Sequence, residues 1–396
     1  MNKKNGKNII EILKYNFISV VILMNSLQFI LSNDLGIKFN MWIEYIFIGA
    51  IFILFSFKIQ NKRNIIILLI SALFFGISKL FVNSETLDYY INQFELYALP
   101  IILIGLFKLD LKKFIKIFYW YNIVNLVLYT LFLVINMGQK VEDYMTFGYY
   151  AIFSATYVMI YSYYKKNMLG LIFACVTVPF IIINGNRGTI IVFGMTIIAI
   201  VLMGKNIVKR LIFSILIIAV LANINVIVLQ TLNFVTSNFN IGDSYSVRNL
   251  YNMLGSNDSE DFLGGRYGIY EEVQSEIDKN LLTGMGIAKF QDVYGYFPHN
   301  IFLDAYVTFG IIGGTVYLIY LLNIGIKFYR ASKENIEIQI LFIFLVANTM
   351  KLLLSKTFIY DPIIWLYIVI GNQVVTNYKI LKETKNEKNN SIYTNI

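Results

Sequence analysis

Apolar runs of close to twenty residues recur along almost the whole sequence, and each is long enough to cross the hydrocarbon core of a bilayer as a helix. The composition agrees, because 57% of the residues are hydrophobic and 14% are charged, whereas soluble domains carry about 25% charged residues. Runs of this length favour a bundle of helices over a barrel of short alternating strands. We therefore predict an all-α polytopic membrane protein.

We predict about twelve transmembrane helices. Lys and Arg collect in alternate connections, which places both termini in the cytoplasm and the longest polar interval on the outer side. The predicted limits are Tyr15–Ser32, Met41–Phe57, Asn64–Val82, Ile91–Phe107, Phe114–Ile135, Tyr144–Tyr164, Met168–Ile183, Thr189–Met203, Leu211–Leu232, Ile301–Phe328, Ile336–Leu354 and Ile359–Thr376.

This count divides the chain into four parts. Residues 1–232 hold the first nine helices, and residues 233–300 form one large extracytoplasmic loop. Residues 301–376 hold helices ten to twelve, and residues 377–396 are a polar cytoplasmic tail that we expect to be disordered. Long loops of this kind are usually either functional or disordered, and we favour the first reading and place the active site in the extracytoplasmic loop.

The composition excludes several classes of chemistry. Cys175 is the one cysteine, so no intramolecular disulfide forms, and its apolar surroundings predict a buried small hydrophobic residue. His299 is the one histidine, which excludes metal motifs built on a pair of histidines. The net charge of +9 lies in interhelical loops, where it sets topology, so we predict no nucleic-acid binding.

One arginine departs from the charge bias of the loops. Arg187 lies in the short outward turn Asn184–Thr189, where glycine and asparagine residues allow a tight connection. A guanidinium group is planar, always charged and able to bind phosphate oxygens in pairs. The residues alone leave two readings open, a phosphate-binding arginine and an interfacial anchor for lipid headgroups.

A second arginine occurs in the large loop. Arg266 follows a pair of glycines and precedes Tyr267–Asp278, in which Tyr270, Val273 and Ile277 share one face of a helix. This spacing predicts a short amphipathic helix with Arg266 at its amino end, where backbone N–H groups also point at anions. Arg248, earlier in the loop, is a further candidate for phosphate binding.

The end of the large loop carries the remaining candidates. Gly284 and Gly286 predict a turn with unusual backbone angles or with close approach of a ligand. His299 and Asn300 lead directly into the tenth helix, and Asp304 follows one turn inside it. Taken by itself, a histidine at the start of a helix is more often a capping or packing residue than a catalyst.

Together these motifs resemble the O-antigen ligase and polymerase superfamily, which are multi-spanning bacterial glycosyltransferases that act on undecaprenyl-diphosphate-linked sugars. The resemblance covers residues 184–314 and rests on the order and outward placement of its parts. Those parts are Asn186-Arg187-Gly188-Thr189, Gly264-Gly265-Arg266, Gly284-Met285-Gly286 and the run from His299 to Gly314. A GT-C-like arrangement of helices is the corresponding expectation for the fold.

The resemblance implies a role for each motif. Arg187 and Arg266 correspond to arginines thought to hold the diphosphate of the donor, and His299 corresponds to a histidine near the transferred sugar or the acceptor hydroxyl. We add Gly284, Gly286 and Asn300 as substrate-binding candidates. Members of this superfamily use no nucleotide sugar and no essential divalent metal, so we expect no cofactor and no metal site.

The chemistry of the candidate residues fits this reading. Fixed guanidinium groups stabilise the charge that develops on a leaving diphosphate. His299, with an ordinary pKa near 6.5, is suited to take the proton of the attacking sugar hydroxyl.

The favoured function is therefore a polymerase for capsule, exopolysaccharide or O-antigen. It would sit in the bacterial cytoplasmic membrane, bind lipid-linked oligosaccharide among membrane lipids, and work with chain-length regulator and flippase proteins. The alternatives are a ligase with another acceptor and a flippase or transporter, which should carry charged residues near the middle of its helices.

Overall fold

Every regular element in the described part of this computed structural model is a helix. The described residues are 3–35, 46, 49–50, 61–81, 84–135, 144–184, 187–204, 230, 233, 237, 266–355 and 357–393. Before the large loop the helices are α1 (Lys3–Leu35), α2 (Lys62–Phe81), α3 (Glu85–Tyr97), α4 (Leu99–Ile104), α5 (Leu111–Ile135), α6 (Tyr144–Lys165), α7 (Met168–Asn184) and α8 (Arg187–Leu202). They continue with α9 (Arg266–Lys279), α10 (Lys289–Tyr294), α11 (Ile301–Ser332), α12 (Ile336–Thr349), a 3₁₀ turn (Met350–Leu353) and α13 (Pro362–Tyr393).

The prediction of an all-α membrane protein is confirmed. In the described ranges, four helices are long and apolar enough to cross a bilayer, and two further apolar helices, α7 and α8, are shorter. The four spans are Lys62–Leu80, Leu111–Leu133, Ile301–Ser332 and Ile336–Leu353. The total of twelve helices and the GT-C-like arrangement stay predictions, because Met41–Phe57 and Leu211–Leu232 lie largely outside the described residues.

The fourth predicted span is not one continuous helix. Where Ile91–Phe107 was expected to cross the membrane, α3 ends at Tyr97 and α4 begins at Leu99. Pro100 explains the break, because proline lacks the backbone N–H that would continue the hydrogen bonding of α3 and is tolerated in the first turn of a helix.

Two smaller expectations also differ from the structure. Cys175 is exposed on α7 rather than buried, because it lies on the same outward face as the exposed residues Ile172 and Val176. The last helix continues to Tyr393 through the tail that was expected to be disordered. The tail is rich in Lys and Glu, which are good helix formers, so its sequence permits this extension.

Two contacts define one end of the bundle, which we call the lysine end. Lys165, at the last turn of α6, forms an ion pair of 2.9 Å with Glu337, in the first turn of α12. Gln339, also near the start of α12, donates a hydrogen bond of 3.2 Å to the carbonyl of Met203, just after α8. The carboxyl ends of α6 and α8 therefore meet the amino end of α12.

The opposite ends of the same three helices also meet, at what we call the loop end. Gly188, in the first turn of α8, packs so tightly against the hydroxyl of Tyr149 in α6 that a side chain would collide with it. Lys351, just after α12, lies with its Nζ 5.5 Å from the centre of the Tyr149 ring. The start of α8 is thus brought to the end of α12.

Candidate functional site

The predicted amphipathic helix is present as α9, with ends that differ by one residue from the expected limits. Val273 and Ile277 are buried against Phe290 of α10 and Val307 of α11, so the apolar face docks on the loop end of the bundle. Arg266 is the first residue of this helix. The docking therefore fixes the amino end of α9, with Arg266, beside the start of α11.

Two pairs of polar side chains add to this docking. Glu276 accepts hydrogen bonds from Tyr294 (2.9 Å) and Lys279 (2.7 Å), and the bond from Lys279 is the main reason that its pKa is lowered. Glu272 accepts a bond from Tyr296, which raises the pKa of that tyrosine to about 12. Both tyrosines lie in the segment that leads to His299, so α9 and this segment are held together.

The glycine-rich turn packs directly on the backbone of α11. Gly310 has φ 68° and ψ 178°, which interrupts the helix and is a conformation that essentially only glycine adopts. The backbone N–H groups of Met285 and Gly286 donate to the carbonyls of Val307 (2.7 Å) and Thr308 (3.1 Å). Backbone groups that the kink releases from the helix are thus paired with the turn.

Gly284 has a clear packing role in this arrangement. It has a positive φ of 69°, and a side chain there would collide with the backbone of Gly310. Gly286 also has a positive φ, of 93°, but no other atom lies within 4 Å of the position of an added Cβ. The expected unusual backbone angles are present, and the substrate-binding role of both glycines stays a prediction.

His299 lies partly buried between the segment 294–298 and α11. Its ring is 5.3 Å from that of Phe297, and its Nδ1 is buried without a hydrogen-bond partner among the described residues. Burial, and then the positive charge of Arg266, lower the pKa of His299 to about 4. The imidazole is therefore neutral at pH 7, with a nitrogen able to accept a proton, and it lies within electrostatic reach of Arg266.

Asn300 caps the helix that follows. Its side-chain oxygen accepts hydrogen bonds from the backbone N–H groups of Phe302 (2.9 Å) and Leu303 (3.4 Å). This is the usual role of asparagine at the amino end of a helix. Its proposed contact with substrate is untested and stays a prediction.

The two remaining arginines differ in how far they are described. Arg187 is the first residue of α8, so its backbone lies at the loop end next to the contact between Gly188 and Tyr149, while its side chain is outside the described atoms. Arg248 lies outside the described residues altogether. The roles of both arginines stay predictions.

A buried acidic residue connects α11 to the segment between α12 and α13. Asp304, one turn inside α11, accepts hydrogen bonds from the hydroxyl of Thr308 (3.5 Å) and from the backbone N–H of Phe358 (3.4 Å). The hydroxyl of Thr357 bonds to the same carboxylate. The segment between α12 and α13 is thereby attached to the first turn of the helix that His299 precedes.

The same segment carries an ion pair that the sequence analysis missed. Lys351 and Asp361 lie 2.8 Å apart, and their side chains are only 8% and 0% exposed. A lysine within an apolar run was the available signal, because charged residues in membrane segments are costly and pair with a partner. The partner was not predictable, since Asp361 reaches Lys351 only through the turn between the helices.

Comparison with known proteins agrees with this architecture. The fold defines the class as a multi-pass membrane protein built from helices. The profile of a family described as O-antigen ligase matches residues 169–318, which confirms the resemblance. No curated protein matches the chain. The matched residues include the starts of α8, α9 and α11, with Arg187, Arg266 and His299.

The family supports glycan transfer in polysaccharide or O-antigen synthesis by an enzyme of the membrane glycosyltransferase kind, acting on lipid-linked oligosaccharide. Among the residues with described side chains, no group of three or more His, Cys, Asp or Glu could hold a metal ion.

Proposed function

We propose that this protein is a polysaccharide polymerase of the bacterial cytoplasmic membrane, with both termini in the cytoplasm. It transfers a growing glycan from undecaprenyl diphosphate to a hydroxyl of a new lipid-linked repeat unit, in capsule, exopolysaccharide or O-antigen synthesis. The observation that carries the proposal is a half-buried His299 whose Nδ1 has no hydrogen-bond partner among the described residues and whose pKa is lowered by burial and by the positive charge of Arg266. A cation for the leaving group beside a base for the nucleophile is what glycosyl transfer from a diphosphate requires.

The proposed reaction exchanges one bond at the anomeric carbon for another. The acceptor hydroxyl oxygen bonds to the anomeric carbon, and the bond from that carbon to the phosphate oxygen breaks. His299 takes the hydroxyl proton, and the electron pair of the broken bond leaves on the lipid diphosphate, which Arg187 and Arg266 stabilise. A bound diphosphate also raises the pKa of His299 from its low value towards the working pH, because a nearby negative charge favours the protonated form.

The position of the charged residues favours this enzyme over a transporter. A transporter places ionisable residues near the middle of its spans. Here Lys79 lies in the last turn of α2 and pairs with Asp88, while Asp304 and Lys351 lie within one turn of the loop end. These charges therefore support chemistry at one surface. A ligase would use the same residues with another acceptor, so the acceptor decides between ligase and polymerase.

The test is elongation by the purified protein. Incubated with lipid-diphosphate repeat units alone, the wild type should give a ladder of longer products. Arg187→Ala and Arg266→Ala should each abolish the ladder, because fixed donors to a developing oxyanion contribute about a hundredfold or more in rate. His299→Ala should reduce it, and Arg330→Ala, at an exposed position at the lysine end, should match the wild type.

Each outcome has a distinct meaning. Wild-type ladder lengths in Arg266→Ala would remove that arginine from the site, and likewise for Arg187→Ala. A wild type that adds glycan once to a different acceptor, but never to a repeat unit, would identify a ligase and contradict the polymerase.

A further inference from the structure

The buried ion pair between Lys351 and Asp361 needs a reason beyond stability. Two charges withdrawn from water lose their hydration, and such a pair is often no more stabilising than apolar residues of the same size. The geometry is nevertheless well defined. Nζ of Lys351 lies 2.8 Å from Oδ2 of Asp361, and the other carboxylate oxygen accepts the backbone N–H of Ile363 at 2.9 Å, at the start of α13. Asp361 is therefore anchored at the start of α13 and lies in ionic contact with Lys351, although its Oδ2 makes no hydrogen bond of good geometry among the described residues.

Lys351 contacts Tyr149, the side chain that packs against the start of α8 next to Arg187. Its Nζ lies 5.5 Å from the centre of the Tyr149 ring, within the range of a cation–π contact. The hydroxyl end of that ring fills the space next to Gly188 where a side chain would otherwise lie. A continuous set of contacts thus runs from Asp361 through Lys351 and Tyr149 to the residue that follows Arg187.

The segment that carries this pair also contacts the other half of the site. Asp304 accepts the backbone N–H of Phe358 at 3.4 Å, and Asp304 is one turn beyond His299 and Asn300, which open α11. Residues 350–361 therefore contact the α8 side of the site through Lys351 and the α11 side through Phe358. The conformation of this segment therefore determines the distance between the start of α8 and the start of α11.

We propose that Lys351 and Asp361 are positioning residues for Arg187. The pair fixes Tyr149, and Tyr149 fixes the backbone at Arg187–Gly188, so that this arginine is presented to the same diphosphate as Arg266. Neither Lys351 nor Asp361 contacts substrate in this assignment. The inference rests on the proposed function, because it assumes that Arg187 binds the donor.

The first experiment removes the pair without leaving a buried charge alone. In Lys351→Met/Asp361→Asn, the methionine occupies the space of the aliphatic part of the lysine side chain, and the asparagine can still cap α13. We expect elongation turnover to fall about tenfold to a hundredfold, as small misplacements of a catalytic group do, with little change in the thermal unfolding midpoint. Lys351→Arg, which keeps the charge, should retain most of the turnover.

The matched control is a different, partly buried ion pair at the lysine end. Lys165 and Glu337 lie 2.9 Å apart and are partly buried, but they have no contact with the predicted site. Lys165→Met/Glu337→Gln should therefore leave elongation unchanged. A second variant, Tyr149→Leu, keeps the Lys351–Asp361 pair but removes the ring, and it should reproduce the loss of turnover.

A double-mutant cycle separates positioning from general damage. Arg187→Lys should elongate slowly, and adding Lys351→Met/Asp361→Asn to it should cost far less than in the wild-type background, because both changes act through residue 187. If the combined variant loses turnover by the product of the two separate factors, the changes act independently and the proposal is overturned. A wild type without any product ladder would refute the proposed function, whereas an active wild type with an equally active double variant would refute only the positioning role.

Discussion

Arg266 lies close enough to His299 for its positive charge to act on the imidazole, and together with burial it brings the pKa of that histidine to about 4. Both effects disfavour the charged form, burial because the imidazolium loses hydration and Arg266 because like charges repel. The histidine is thus uncharged above about pH 4. A resting site with a neutral base within electrostatic reach of a cation is prepared for an anionic donor.

Titration of His299 is a direct check, because it is the only histidine in the chain. With labelled histidine and a purification tag free of histidine, NMR should show protonation with a midpoint near pH 4 in the wild type. Arg266→Gln should move the midpoint upward, part of the way to 6.5, because burial remains when the charge is removed. Inorganic pyrophosphate should also raise it, while Arg330→Gln should have no effect. A wild-type midpoint near 6.5 would contradict this environment for His299.

Local pattern was sufficient to predict several parts of the site. The helix at Arg266–Lys279 follows from the spacing of Val273 and Ile277, and its burial on α11 follows from the same apolar face. The sequence also predicted that His299 lies just before the tenth span. This is confirmed, because α11 begins at Ile301. Each of these depends on residues close together in sequence.

The parts that sequence did not predict depend on distant contacts. Glu276 is a charged residue that is nevertheless buried, and Tyr294 supplies it with a hydrogen bond from another element. The pairing of Lys351 with Asp361 requires the turn between α12 and α13, and the kink at Gly310 requires the loop at residues 281–286 to pair with the freed backbone. No periodicity in a single segment encodes such pairings.

Gly310 should be intolerant of any side chain. Gly310→Ala places a methyl group against the carbonyl of Leu282, at a backbone conformation that costs a non-glycine residue about 1–3 kcal/mol by itself. We expect a lower thermal unfolding midpoint and faster hydrogen exchange at Met285 and Gly286, whose N–H groups bond to α11.

The control for this change is Gly268→Ala in α9. Gly268 lies in a helix with open space around the position of an added Cβ, so alanine should be neutral or stabilising by about 0.5–1 kcal/mol. Equal midpoints for Gly310→Ala and the wild type would show that the loop does not depend on this kink.

Asp304 should be replaceable by asparagine but not by leucine. Its side chain is almost fully buried and accepts bonds from Thr308, Thr357 and the N–H of Phe358. Leucine leaves these donors buried without an acceptor, at about 1–3 kcal/mol for each unsatisfied group, whereas asparagine keeps one acceptor oxygen of nearly the same shape. Thermal unfolding in detergent and elongation should both fall in Asp304→Leu and stay close to wild type in Asp304→Asn. Equal losses in the two variants would instead show that the negative charge itself is needed, and that Asp304 does more than hold residues 357–358 against α11.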